Sequence, residues 1–389
     1  MHRRDAENPD ATTASEPVPK PIPEPSGPLA LARNLVLQHG WNATAYQILN
    51  PGLKLWFPRA RDAVVGYADW GRVRVAAGAP VCSQARLAEV AAEFEREAME
   101  AHGASVCYFA AGARLDGLLG SVPGYSRVLL GAQPVWHPGA WPGILSARPS
   151  LRAQLQRARN KSVRVREWAN ATAAASPAIR RCLKEWLSGR PMPSMHFLVE
   201  PQTLDRLWDR RVFVAEREGV PVGFLVASPV PGRNGWLVEQ IVRGREAPNG
   251  TAELLVDAAF HAAIAEGLEY FTLGLSPLSR VMKGEDGHAP RSLPWWLDLL
   301  FHWLRMHGSR FYNFRGLERF KSKFAPDAWE PIYAICNRPT CTPRVLLAIA
   351  AVFGGISPFL FVALSLGKAV LQETVWIARR MAGRGKRNH

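Results

Sequence analysis

The chain has 389 residues, too many for one ordinary hydrophobic core and suited to two domains with extensions. With 48% hydrophobic and 21% charged residues it reads as globular, which excludes a wholly disordered chain. Its 48 Lys and Arg against 33 Asp and Glu leave a formal charge of +15, which points to a polyanionic partner, either nucleic acid or an anionic membrane surface. A merely basic soluble enzyme is the plain alternative.

Residues 5–28, "DAENPDATTASEPVPKPIPEPSGP", are rich in Pro, Ala and Glu, and are expected to be disordered. No apolar signal-peptide core precedes them. Two β-rich runs flank the turn "ADWG" in 62–81 and predict a hairpin. A helix follows over 83–103, with Ser83 as N-cap, apolar residues at helical spacing and Gly103 as the stop. "SVCYFAA" (105–111) then reads as a buried strand. The segment 148–168 carries Arg152, Arg157, Arg159, Lys161, Arg164 and Arg166, a basic helix and strand that either track a phosphate backbone or form a solvated linker.

The order then recurs. Residues 211–230 predict a hairpin turning at Glu218-Gly219, and 235–243 a further strand. Residues 249–267 predict a helix capped by Asn249 or Thr251 and ended by Gly267, with "YFTLGL" (270–275) as the next strand. Hairpin, helix, strand twice over argues for duplicated α/β domains rather than one large sheet. Five scattered cysteines (Cys82, Cys107, Cys182, Cys336, Cys341) form no CxxC pair and have no histidines beside them, so reduced thiols are expected and no metal site.

Alternation on 235–243 places Leu237, Glu239, Ile241 and Arg243 on one face and Trp236, Val238, Gln240 and Val242 on the other. An acid and a cation at a strand end, beside a helix N-terminus with outward-pointing amides, can bind an amine and stabilise an oxyanion; a surface ion pair is the bland alternative. In GNAT-class acyltransferases this position holds an Arg/Gln-x-x-Gly-x-Gly/Ala loop for coenzyme A. Here "RGREAPNGTAE" (243–253) lacks that spacing. No GxSxG, HExxH or Walker loop is present, His196 and His288 are isolated, and Ser276 in "LGLSPLS" sits at a strand-end turn where it can bond a ligand.

"FYNFRGLERFKSKFAPDAWEPIY" (311–333) crowds aromatic and basic residues together, with Leu317, Phe320 and Phe324 on one helical face. Asn313 and Gly316 sit among aromatics as though shaping a turn. Glu330, between Trp329 and Pro331, is a candidate half-buried acid with a raised pKa suited to proton transfer. Residues 345–366 follow without a charge, long enough to span a bilayer or, broken at Gly354, Gly355 and Pro358, to dip into one leaflet; a buried core helix is the third reading, which the length disfavours. The tail 367–389 carries Arg379, Arg380, Arg384, Lys386 and Arg387, which favour the cytoplasmic side and anionic headgroups.

The 311–333 stretch resembles the closing signature of the phosphatidylglycerol lysyltransferase (lysylphosphatidylglycerol synthase) catalytic domain, in which Tyr-Asn-Phe-x-Gly-Leu leads to a lysine-bearing helix and Trp-Glu-Pro. "EAPNGTAELL", "LGLSPLS", "AAGAPV" and "QLQRARNK" are similar to further stretches of that family, over roughly residues 41–335. Where the family favours Asp-x-x-Arg, this chain has Gln240 and Arg243, with Glu239 adjacent.

The resemblance implies an α/β architecture of two tandem GNAT-like domains, 29–147 and 169–335, joined by 148–168; the hydrophobic membrane-associated segment at 345–366 is expected from its own composition and departs from the family pattern. It implies transfer of a lysyl or similar group from aminoacyl-tRNA to a hydroxyl of a membrane lipid such as phosphatidylglycerol. No cofactor is then needed beyond the tRNA co-substrate, because an aminoacyl ester is already activated. Aminoacyl-tRNA and an anionic phospholipid membrane are the implied partners, with the catalytic part facing the cytoplasm. Arg243 and the amides near Asn249, Gly250 and Thr251 would stabilise a carbonyl or phosphate, and Lys321 and Lys323 would bind phosphate. Glu239 or Glu330 would act as base or amine anchor, with Ser276, Tyr312 and Asn313 also touching substrate. A Fem-type aminoacyltransferase, an acyl-CoA N-acyltransferase and a non-catalytic tRNA- or lipid-binding protein remain as alternatives.

Overall fold

A computed structural model describes residues 22–189, 197–198, 200–277 and 314–354. The chain opens with α1 (Gly27–His39), then β1 (Lys54–Trp56), β2 (Val65–Trp70) and β3 (Val73–Ala77), followed by α2 (Leu87–His102), β4 (Ser105–Ala111), α3 (Ala113–Leu119) and β5 (Ser126–Trp136). Helix α2 buries Leu87, Val90, Ala91, Phe94 and Ala98, the stripe its spacing predicts, and ends where Gly103 turns left-handed (φ 56°) and donates to the Met99 carbonyl. Its start differs from expectation. A short 3₁₀ turn over Gln84–Arg86 precedes it and Ser83 makes no side-chain cap bond.

Helices α4 (Trp141–Ala147) and α5 (Pro149–Arg159) lead to β6 (Val163–Trp168), then α6 (Asn170–Ala175), α7 (Pro177–Ser188), β7 (Arg211–Arg217), β8 (Val220–Val230) and β9 (Gly235–Arg243). Glu218 and Gly219 both take positive φ (53° and 79°), the tight turn that matches the twist of the β7–β8 hairpin. Helix α8 (Thr251–Ala265), β10 (Tyr270–Thr272) and β11 (Ser276–Pro277) follow, and the chain closes with α9 (Phe314–Ser322), β12 (Ala328–Cys336) and α10 (Pro343–Gly354). Neither expected capping residue caps α8. Gly250 is its N-cap, and the Thr251 hydroxyl instead donates to the Pro248 carbonyl at 2.7 Å.

Hairpin, helix, parallel strand occurs twice, as β2–β3–α2–β4 and β8–β9–α8–β10. The two copies nonetheless share one sheet, in the order β1-β2-β3-β4-β12-β5-β10-β9-β8-β7-β6. That corrects the expectation of two separate sheets. The reason is an exchange of last strands: β12, late in sequence, pairs with β4, while β5, from the first copy, pairs with β10. β12 and β5 lie antiparallel from Ala328–Val135 to Cys336–Ser126 and weld the copies together. On the second side the core stacks Trp141, Phe260 and Phe271, with ring centroids 4.2 and 4.1 Å apart.

The apolar run also departs from its reading as one membrane segment. Its first residues form α10, which lays Val345 and Ala348 into the core over β2 and β3. Phe353 packs edge-on to Phe109 and Phe197 at 5.0 and 5.2 Å. Hydropathy measures how apolar this stretch is, not what it packs against, and here a sheet face needed covering. Among the described residues no helix is long and apolar enough to cross a membrane. Residues 355–366 lie outside the described ones.

Because the copies exchange strands, they are expected to unfold together. Ile335, fully buried among first-copy residues, is predicted to lose about 2–5 kcal/mol as Ile335→Ala. Urea unfolding followed by far-UV circular dichroism and by tryptophan emission should then give one coincident transition, displaced to lower urea. Two separated transitions would contradict the weld.

Candidate active site in a sheet wedge

Strands β9 and β10 pair only from Gly235–Tyr270 to Leu237–Thr272. Beyond that rung the chain turns away at Gly274 (φ 73°) and β11 crosses to pair with β5. A wedge opens between β9 and β5, and holds a cavity of about 830 Å³. Its walls come from both copies: Asn42, Thr44 and Gln47, the β9 residues Leu237–Ile241 and Arg243, the α8 residues Ala252 and Glu253, Lys321 on α9 and Glu330 on β12.

The wedge wall breaks the simple alternation. Val226 of β8 faces Gln240 and Ala227 faces Val238, so Glu239 is an extra residue, a β-bulge. Glu239 and Gln240 therefore both line the cavity, instead of pointing to opposite faces. The Glu239 carboxylate is not a free acid. It accepts from Gln47 Nε2 (2.9 Å) and from Arg210 Nε (3.0 and 3.2 Å). Arg210, itself buried, is held by the Arg206 carbonyl, Asn50 Oδ1 and the face of Tyr46. Tyr46 in turn donates to Asp209, which Arg33 grips with two bonds of 2.7 and 2.6 Å. Burial works against the Asp209 charge, but the bonds from Arg33 and Tyr46 outweigh it and hold the carboxyl below its usual range.

Glu330 has a matched charge as well. Arg233 forks onto both its oxygens at 2.7 and 2.5 Å, and Gln133 Nε2 donates at 3.0 Å. Arg233 is stacked 3.7 Å from the Tyr270 ring centre, and burial raises the pKa of that phenol. Glu330 is thus an anchored acceptor, not the isolated acid that its sequence neighbours suggest. Lys323 is paired too, with Glu253 and, at 3.2 Å, Gln154 Oε1.

Two cations stand apart. Arg243, at the open end of the wedge, makes no ion pair among the described residues and is exposed. Lys321 is buried on α9, which carries Leu317 and Phe320 of the predicted face while Phe324 lies just beyond its end, and donates to the Gly274 and Leu275 carbonyls at 2.7 and 2.9 Å. No carboxylate among the described residues bonds it, so burial alone pushes its pKa down to about 7. Three buried polar atoms of the wall, Asn42 Nδ2, Thr44 Oγ1 and Gln47 Oε1, have no partner among the described residues, leaving hydrogen-bonding capacity for a polar ligand.

Asn249, Gly250 and Thr251 are not in the wall. A Cβ on Gly250 would lie 2.2 Å from the Gln154 carbonyl, so α5 packs directly on the α8 N-terminus. Ser276 is buried in β11 beside the cavity, its hydroxyl unpartnered among the described residues. Tyr312 and Asn313 lie outside those residues. Sequence reasoning missed Gln47, Gln133, Arg210 and Arg233. Arg233 sits in the Gly/Pro turn "VPGRNG", which reads as solvent-facing, and Gln47 and Gln133 reach the site from the first copy.

The family model for phosphatidylglycerol lysyltransferase, C-terminal, matches residues 33–336. No curated protein matches the chain in sequence. Among solved structures, the C-terminal domain of a putative lysylphosphatidylglycerol synthetase from Agrobacterium fabrum superposes with a TM-score of 0.69 at 21% identity, covering 84% of this chain and 97% of that one. L-PGS from Bacillus licheniformis gives 0.67 at 20%, covering 89% and 98%. A conserved protein of unknown function from Bacteroides thetaiotaomicron gives 0.52 at 12%, covering 81% and 99%. These likenesses show the mixed α/β fold. With the family match spanning most of the sequence and every wall residue named above, the chain belongs to the phosphatidylglycerol lysyltransferase C-terminal domain family.

Proposed function

We propose that this member of a transferase family moves an aminoacyl group from aminoacyl-tRNA to a hydroxyl of a membrane lipid such as phosphatidylglycerol. It would act as a tandem pair of GNAT-like units at the cytoplasmic face of a membrane. The observation that carries the reading is Lys321, a buried amine poised near neutrality in a cavity bordered by unsatisfied polar atoms. Exchange of one ester for another needs a base, oxyanion donors and an ammonium anchor, and no ATP.

A neutral Lys321 that gives its two hydrogens to the Gly274 and Leu275 carbonyls keeps its lone pair for the lipid hydroxyl proton. The oxygen so freed attacks the ester carbonyl, and the tRNA ribose hydroxyl leaves with the proton that Lys321 took up. Arg243, without an ion pair among the described residues at the wedge mouth, suits a phosphate of either substrate or the oxyanion. Gln47 Oε1, Thr44 Oγ1 and Glu330 offer acceptors to the aminoacyl ammonium. The α8 N-terminus, where coenzyme A pyrophosphate would bind in a GNAT enzyme, is faced by the Gln154 carbonyl, which disfavours an acyl-CoA donor.

Cells expressing the protein and fed radiolabelled amino acids should contain a new labelled lipid on thin-layer plates. Lysates should form it only while their RNA is intact. No RNase-sensitive lipid with any amino acid would sink the proposal.

Because the neutral amine is the active form, kcat/KM should rise with pH through about 7 and level off above it. Lys321→Arg, always protonated, should lose about 10²-fold or more across that range. A variant that kept both rate and profile would remove Lys321 from the chemistry.

Arg243→Ala should lower transfer about 10²-fold, as expected for loss of a charged donor. Glu330→Gln should act mainly through the KM for the aminoacyl donor. If steady-state assays showed full activity for both in folded protein, the reacting centre would lie outside the wedge.

A further inference from the structure

The acids described along the wedge are all engaged. The Glu239 and Glu253 side chains are only 7 and 8% exposed, so water screens neither, and each holds a cation of its own, Arg210 for the first and Lys323 for the second. Arg233 forks onto Glu330. Glu200, also in the wall, accepts from the Gln202 amide at 3.1 Å. The positive side of the wall is in excess, because Arg243 and Lys321 add to these pairs without a carboxylate bonded to either among the described residues.

What the wall leaves open is neutral. The unpartnered polar atoms are an amide nitrogen, a hydroxyl and an amide oxygen, on Asn42, Thr44 and Gln47. Leu237, Leu273, Phe320 and Ile332 supply apolar surface around them.

This balance suits one ammonium and not two. The α-ammonium of an aminoacyl ester brings one positive charge, which Gln47 Oε1, Thr44 Oγ1 and a spare lone pair of Glu330 can accept. Lys321 is 4% exposed, so an ester carbonyl attacked by the hydroxyl it activates lies inside the cavity, and the side chain beside that carbonyl starts there too. A side-chain ammonium or guanidinium would then sit among apolar and neutral groups near Arg243, or compete for a carboxylate that already holds a cation. Burial of a charge without its own counter-ion is strongly disfavoured. A side-chain carboxylate would have to draw Arg243 away from the phosphate or oxyanion at the mouth.

We infer that the wedge selects an aminoacyl group whose side chain is uncharged, rather than the lysyl group for which the family is named. The inference rests on the tRNA-dependent reading above and names its substrate class. Selection here comes from carboxylates whose charge is already spent on Arg210, Arg233 and Lys323, so release of one of them should relax it.

The test uses the full chain, phosphatidylglycerol vesicles and one tRNA acylated in turn with alanine, methionine or lysine, so that the RNA stays constant. Methionine and lysine are both unbranched and differ chiefly in charge. Transfer of methionyl and of alanyl groups to lipid should each exceed lysyl transfer in kcat/KM by about 10²-fold or more. Arg233→Gln leaves Glu330 without its cation, and Lys323→Gln does the same for Glu253. At least one of them should raise the ratio of lysyl to methionyl transfer about tenfold. Both rates are read on the same protein, so a loss of folded material cancels from the ratio.

Lysyl transfer equal to or faster than methionyl transfer would overturn the inference and leave the tRNA-dependent reading standing. Fast alanyl transfer with methionyl and lysyl equally slow would also overturn it, because size and not charge would then decide. So would a ratio unchanged in both variants. Wild-type protein that moved none of the three groups to lipid would remove both readings.

Discussion

The ladder between β9 and β10 stops at Leu237–Thr272, and the rest of the site follows from that stop. With its parallel partner gone, β9 runs on as one wall of an open wedge, while the departing chain presents the Gly274 and Leu275 carbonyls to Lys321. The other wall, β5, is available because the copies exchange their last strands. The first copy keeps its parallel pair, β3 with β4, together from Val73 to Ala77. A duplicated connectivity thus yields one wedge among the described residues, and it lies where residues of both copies converge.

Electrostatics then sorts the wedge's ionisable groups into two kinds. Glu239, Glu330 and Glu253 each have a guanidinium or ammonium partner at bonding distance. In such partly buried pairs each charge stands in for solvent the other lost, and removal of one member strands its partner. Lys321 has no such partner among the described residues, so burial disfavours its ammonium form and brings it towards neutrality. The chain Arg33–Asp209–Tyr46–Arg210–Glu239 fixes the bulge from outside and ties the N-terminal helix to the wall. The acids set the shape and polarity of the cavity, and the lysine supplies the titratable group.

Much of the framework was legible in local sequence, because the features that set it are local. Gly103 and Glu218-Gly219 mark turns through their backbone freedom, the α2 stripe shows its buried face, and β9 begins and ends where its residues predict. The hairpin–helix–strand repeat was visible for the same reason. Three features were not legible, each for a nonlocal reason. The bulge at Glu239 depends on how β8 pairs with β9, so alternation alone put Glu239 and Gln240 on opposite faces. The exchange of β12 and β5 joins segments some two hundred residues apart. The first turns of the apolar run 345–366 look like lipid-facing residues until the sheet face beneath them is known. Of the candidate site residues, Glu239, Arg243, Lys321 and Glu330 converge on the cavity, Lys323 pairs with its wall, and Asn249–Thr251 sit beneath α5. Residue types pointed to the chemistry, but pairing partners decided which groups are free to act.

The most direct test of transfer at the wedge is a single-turnover reaction with purified protein, tRNA charged with a labelled amino acid, and phosphatidylglycerol vesicles, quenched over time and separated into tRNA, free amino acid and lipid. Label is predicted to leave tRNA and enter lipid at one rate, rising as the pH is raised through about 7, with little free amino acid formed. Label that remained on tRNA, or passed only to water, would contradict transfer to a lipid hydroxyl at the wedge.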